Sequence, residues 1–299
     1  MTQIQDAPAT RASGSPLAVE DVGNIVSLEH VNTCIDDQAI ATTFYIVGMG
    51  FTRDPHINVG LENMWVNVGE QQFHLPTRSP QVLPGHIGIV VPDLQSLAGR
   101  LQSVQDPLSK TKFSFSVGAD HVAVTSPWGN RFRCHEPNPR FGDMRLGIPY
   151  VEVQVRRGAA PGIVRFYRQV LGAPASLEQD GQGAAAQVRI GTYQWLTFRE
   201  TDDEIPPYDN HHIAVYVANF SGPYEWLQER DLIKEGVRNH QFRFQEIVEP
   251  DTGEHLHTLE HEVRGLFHPM YRREMVNRNA EQDMRAYVRG HDALIPFGA

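Results

Sequence analysis

EHVNTCIDDQAIATTFYIVGMGF, residues 29–51, reads as a strand, a short polar connection and a helix that stops at glycine. Apolar residues alternate through its first part, then shift to helical spacing around Phe44 and Tyr45, and Gly48 and Gly50 close the helix. The same plan recurs in VEVQVRRGAAPGIVRFYRQVLGA, residues 151–173, with Phe166 and Tyr167 in place of the first aromatic pair. Recurrence at helical positions in both copies marks the two Phe-Tyr pairs as core packing of helix on sheet.

Each copy is followed by short strands, MWVNVGEQQFHL (64–75) and AAAQVRIGTYQWLTFRE (184–200). A second strand-helix start then appears in each half: GHIGIVVPDLQSLAGRLQSV (85–104) and HHIAVYVANFSGPYEWLQERDL (211–232). Both run on into strands that turn, HVAVTSPWGNRFRCHEP and FRFQEIVEPDTGEHLHTLE. The chain therefore reads as an α+β protein of four βαβββ modules in two pairs. The expected division is a disordered leader over 1–24, a first domain over 25–140, a second over 145–262 and a C-terminal extension over 263–299. The Ala-, Thr-, Ser- and Pro-rich leader lacks the apolar residues to offset ordering entropy. The Arg-rich extension lies outside the repeat, and its sequence fits a sheet-edge cover, a subunit contact or a lid over the site.

The 299 residues are 40% apolar, enough for two cores. A formal charge of −10, from 36 acidic against 26 basic residues, leaves no broad cationic face, so no nucleic-acid partner is expected. No apolar run approaches a membrane span, and the first residues lack the layout of a secretory signal, so no membrane association and a cytoplasmic location are expected. Only Cys34 and Cys134 are present, so there is neither a disulfide framework nor a Cys-x-x-Cys metal motif. Any metal must be held by His and carboxylate.

This layout resembles the vicinal oxygen chelate superfamily, which includes glyoxalase I, bleomycin and fosfomycin resistance proteins and type I extradiol dioxygenases. The resemblance covers roughly residues 25 to 262, and at this length most resembles the extradiol enzymes. It implies that paired modules curl into cup-shaped mixed sheets, with a divalent metal on the inner face held by residues of first and last strands. Alternate strand positions share a face, so ligands from distant segments can converge on one ion.

On that resemblance, His30 stands 14 residues before Phe44 and Glu152 stands 14 before Phe166, which puts Glu152 in the first-strand slot of its module, with Tyr150 as the same-face alternative. His86 and His212 fill the corresponding slots of the other two modules, His211 being on the opposite face. The stretch EPDTGEHLHTLEHE, residues 249–262, is the final turn and strand, and the family spacing puts His257 at its ligand position. The expected metal site is Glu152, His212 and His257. A competing set in the first half is His30, His74 and His86, since Arg133 stands where a last-strand ligand is expected. A solvent-facing, charged edge strand is the plain alternative for 249–262.

Two imidazoles and a carboxylate leave open positions on a six-coordinate metal. Fe(II) is the favoured ion, with Mn(II), Zn(II), Co(II) and Ni(II) able to use the same donors. The resemblance implies a dioxygenase that cleaves a C–C bond of a small, catechol-like substrate with dioxygen as co-substrate. Its acid/base residue would be His240, but Gln245 and Glu246 stand where the family signature has an aromatic-Tyr pair. Glu246 is the alternative catalytic group, as general base in a metal-assisted isomerase, epimerase or lyase of the glyoxalase type. A metal-free binding protein of the resistance type is the third reading. Exposed sheet edges favour a homodimer.

Overall fold

The computed structural model describes residues 20–55, 57 and 60–276. The proposed leader up to residue 19, and the extension from residue 277, lie outside the described residues.

Four βαβββ modules follow one another along the chain. The first comprises β1 (Ile25–Asn32), α1 (Gln38–Ala41) continued as a π-helix over Thr42–Gly48, β2 (Thr52–Arg53), β3 (Asn63–Val68) and β4 (Gln71–Pro76). The second comprises β5 (Gly85–Val90), α2 (Leu94–Ser103), β6 (Ser114–Val117), β7 (Val122–Thr125) and β8 (Arg131–His135). The third comprises β9 (Gly147–Arg156), α3 (Ala160–Gln169), β10 (Ala175–Asp180), β11 (Gly183–Gly191) and β12 (Gln194–Thr201). The fourth comprises β13 (His212–Val217), α4 (Ser221–Gln228), β14 (Ile233–Arg238), β15 (Gln241–Val248) and β16 (His255–Gly265).

Local chemistry sets the helix starts. The Asp37 carboxylate accepts from the backbone N–H groups of Ala39 and Ile40 at 2.7 and 3.0 Å, and Asp93 does the same for Ser96. In α3 the Glu200 carboxylate from β12 takes the cap role and accepts from Ala160 N at 3.0 Å, with Pro161 in the first turn.

The modules pair differently from their order in sequence. One eight-stranded sheet runs β14-β15-β16-β13-β1-β4-β3-β2 and so joins the first module to the fourth; the other runs β10-β11-β12-β9-β5-β8-β7-β6 and joins the second to the third. The expected domain boundary near residues 140–145 therefore falls inside a sheet, because β8 and β9 both flank β5. In each sheet the two first strands meet antiparallel at the centre, with His30 opposite Ala214 in one and His86 opposite Glu152 in the other. The chain changes sheet twice, between β4 and β5 and again between β12 and β13. These two crossovers are bonded side by side: Gln81 Nε2 donates to Asp209 O and Val82 N donates to the Asp209 carboxylate, both at 2.7 Å.

The helices lie between the sheets. Tyr45 packs on Phe73 of one sheet and on Phe132 of the other, and Tyr167 packs on Phe198 while its hydroxyl meets His261 Nε2 at 2.6 Å. Phe44, Tyr45, Phe166 and Tyr167 are all fully buried, each stabilising the fold by roughly 2–3 kcal/mol of apolar burial. A single hydrophobic core thus serves both sheets, and the face of each sheet turned away from the helices is left for chemistry. No helix among the described residues is long and apolar enough to cross a membrane.

Candidate metal centre

His30 on β1, His74 on β4 and His212 on β13 converge on the helix-distant face of the first-fourth sheet, with one ligand atom of each within 4.8 Å of the others. Strand register explains the convergence. Gln72 of β4 stands opposite His30, so His74 lies two residues further along on the same face. Across the central pair, Asn32 stands opposite His212 and His30 opposite Ala214, which keeps both imidazoles on one side. The last-strand position of the fourth module, equivalent to His74, is Glu262: it stands opposite Ala214, two residues beyond His212, just as His74 stands opposite Asn32, two beyond His30.

The donors are held for a ligand rather than for each other. His30 Nε2 and His212 Nε2 face one another at 3.4 Å, close to the roughly 3.3 Å edge of a tetrahedron of nitrogens around a metal. His30 Nδ1 bonds the Glu29 carboxylate, which fixes the proton there and leaves Nε2 free to coordinate. The His74 ring stacks on Trp65 with centroids 3.9 Å apart, and both of its nitrogens are buried with no hydrogen-bond partner. A buried, unpartnered imidazole is costly unless something not yet present satisfies it. Three imidazoles with ring nitrogens brought this close together fit a divalent transition metal.

Charged groups frame this point. Arg264 reaches Glu29 at 2.9 Å and Glu262 at 2.5 Å, and Arg243 bonds Glu262 and also Glu260, the latter at 2.7 Å. Glu262 Oε2 lies 3.9 Å from His212 Nε2, so its carboxylate stands beside the three imidazoles with both oxygens engaged by guanidinium groups. Burial pushes the His74 and His212 imidazoles well below their usual pKa, and the cations around them, Arg243 and Arg264 among them, add to the effect. Burial works against ionisation of Glu29, yet His30 and Arg264 beside it bring its carboxyl down to about 2. The rings are therefore held neutral and the carboxylate charged, the forms that metal binding requires.

After β16 the chain crosses the same face. Arg273 bonds Asp54 at 2.5 Å, Asn67 donates to Val276 O at 2.7 Å, and Tyr271 packs on Tyr216. Residues 266–276 thus cover one end of the cup.

The expected sites are redistributed. His212 and Glu152 do not meet: His212 is in the first-fourth sheet and Glu152 in the other, so the set Glu152, His212 and His257 is not assembled. His257 is not among the converging imidazoles; its ring packs on Phe198 of the other sheet. The second set is assembled in part, with His30 and His74 together but His86 in the other sheet, 3.4 Å from Glu152. Neither expected catalytic residue joins the three imidazoles. His240 is an exposed residue of the β14–β15 turn whose ring meets Phe267. The Glu246 carboxylate is bonded to Gln245, Thr258 and His255. Glu262 is the residue that sequence reading passed over. Its signal was length: in β4 and β8 the ligand position falls four or five residues after the turn glycine, whereas the longer hairpins of the third and fourth modules delay it to eight or nine.

Two mixed sheets of paired βαβββ modules, each cupped away from the helices with four convergent positions at its centre, decide the fold. It is that of the vicinal oxygen chelate superfamily. Comparison with solved structures agrees. Glyoxalase I from Zea mays superimposes with a TM-score of 0.57 at 15% identity, over 80% of this chain and 92% of that one. A protein from Bacillus subtilis subsp. subtilis str. 168, named as a proposed dioxygenase, gives 0.53 at 12% identity, over 82% and 86%. No protein-family model matches the sequence, and no curated protein matches it significantly. At these identities the likeness is one of vicinal oxygen chelate fold.

Proposed function

We propose that this chain is a metal-dependent enzyme acting on a small molecule with two vicinal oxygens, with the metal on His30, His74 and His212 and with Fe(II) as the favoured ion. The observation that carries the reading is the buried His74 ring, whose two nitrogens have no partner although it faces two further imidazoles. A bound Fe(II) would supply open positions where a chelating substrate and dioxygen can meet.

The chain's own residues set the conditions for that chemistry. Glu29 fixes the His30 tautomer, and Trp65 fixes the plane of His74. Arg243 and Arg264 hold Glu262 by both oxygens, so it serves as an anionic wall of the site rather than a free base. This favours an extradiol-type dioxygenase over proton transfer. The glyoxalase-type isomerase remains the second reading because a carboxylate does stand 3.9 Å from a ligand nitrogen, where release from one arginine would let it coordinate or accept a proton.

The test is elemental analysis of protein purified anaerobically, followed by a catechol panel with oxygen uptake recorded. About one iron per chain, lost in His74→Ala, with uptake coupled to ring cleavage, supports the dioxygenase. Bound metal with turnover of a 2-oxoaldehyde hemithioacetal under nitrogen supports the isomerase. Metal-free protein after iron, manganese, zinc, cobalt and nickel reconstitution refutes both.

A further inference from the structure

The second-third sheet carries a comparable row of positions with different side chains, its central pair shifted so that His86 stands directly opposite Glu152 where His30 stands opposite Ala214. His86 of β5 corresponds to His30, and Arg133 of β8 stands opposite Gly88, two residues beyond it, as His74 does beyond His30. Glu152 of β9 corresponds to His212, and Arg199 of β12 stands opposite Gln154, two residues beyond, as Glu262 does beyond His212. Both last-strand ligand positions are therefore arginine. Two guanidinium groups offer no lone pair and repel a cation, so this cup is not a metal site.

It is nonetheless open. A cavity of about 430 Å³ is lined by all four of these residues together with Ser116 and Thr125, a volume suited to a small organic molecule. Charge is unevenly spent within it. Arg199 meets Asp180 at 2.8 Å and Glu152 at 3.7 Å, although its Nε is buried without a hydrogen bond. Arg133 makes no hydrogen bond or ion pair among the described residues, yet it lines the same cavity as His86 and Glu152. The Glu200 carboxylate at the rim is occupied by the α3 cap. An arginine fork left without a carboxylate in a concave site is suited to bidentate capture of an external oxyanion.

We propose that this second cup binds a small organic oxyanion, a carboxylate or phosphate ester, with its charged head on Arg133 and its body in the cavity. The two cups thus divide the labour: one sheet presents imidazoles to a metal, and the other presents guanidinium groups to an anion. This site does not depend on the activity of the first.

Isothermal titration with benzoate, phenyl phosphate and neutral benzamide tests it, using the full chain, Arg133→Gln and His74→Ala. One oxyanion per chain is expected, with benzamide weaker by at least about 10-fold. Arg133→Gln should weaken the oxyanion by a similar factor, and because Arg133 makes no internal hydrogen bond or ion pair its circular dichroism should be unchanged. His74→Ala should bind as the parent does. Preference between benzoate and phenyl phosphate separates the two head groups. Equal binding of benzamide, unchanged affinity in Arg133→Gln, loss in His74→Ala, or no oxyanion binding up to about 10 mM each overturns the assignment.

Discussion

Replacing Glu29 by glutamine isolates the support that the chain gives to its metal. Glu29 is 2% exposed, and its Oε2 takes both His30 Nδ1 and Arg264 Nη1. The amide keeps the shape and removes the charge that fixes the imidazole proton and raises ligand basicity. Losing such a supporting carboxylate weakens metal affinity about 10- to 100-fold, or roughly 1.4–2.7 kcal/mol. A second, separate cost falls on the metal-free protein. Arg264 loses one of two buried carboxylate partners but keeps Glu262, so the penalty is roughly 1–3 kcal/mol rather than the full price of an orphaned charge. Competition against a chromophoric chelator reads the first quantity, and denaturant unfolding of the metal-free protein reads the second. A Glu29→Gln variant whose metal affinity stays within about two-fold of the parent, while its unfolding midpoint falls, would show that Glu29 serves the fold alone and would refute its role at the centre.

His74→Ala should lose bound metal while retaining its fold, because the ring nitrogens make no hydrogen bond to forfeit; elemental analysis beside circular dichroism reads both. His257→Ala should keep metal at the parent stoichiometry, since His257 packs on Phe198 apart from the three converging imidazoles, and metal loss in that variant would place the centre elsewhere. Gly69→Ala should destabilise by more than about 2 kcal/mol, because φ is +66° there and the added Cβ would stand 1.9 Å from Leu146 O; urea midpoints test it. Acid should destabilise the fold between the usual histidine pKa and about 4. Burial, then Arg140, pushes His135 down to about 4, so on acidification the unfolded chain takes up a proton that the folded one refuses. Stability from this group is complete above pH about 6.5 and is lost as the pH falls toward the folded value. His135→Gln should flatten that part of the midpoint-against-pH curve, and an unchanged curve would discount the residue.

The modules were legible because each carries its own local signals: strand alternation running into helical spacing in all four, with a Phe-Tyr pair and a glycine stop in the first and third. The first-strand positions His30 and Glu152 could be found by their common spacing to the helix aromatic, and His86 and His212 by their place at the start of a strand that leads into a helix. Pairing was not legible. Which first strand lies beside β1 is a matter of contacts between residues far apart in sequence, such as His30 opposite Ala214 and Gln81 bonded to Asp209, and nothing local announces them. The error at His257 has a different origin. Its distance from the Gly253 turn copies that of the shorter hairpins, while β16 runs for 11 residues and carries its ligand position further along.

The nesting of the modules has a consequence for synthesis. The second and third modules can complete their sheet while the fourth is still being made, but β1 must wait with its central edge unpaired until β13 emerges, some 180 residues later. During that interval His30 and His74 share one face of the first module, but His212 and Glu262 have yet to join them. Translation order thus makes the oxyanion cup the earlier structure and the imidazole cup the last, so that a chain stopped short of β16 would have a finished inner sheet and an open outer one.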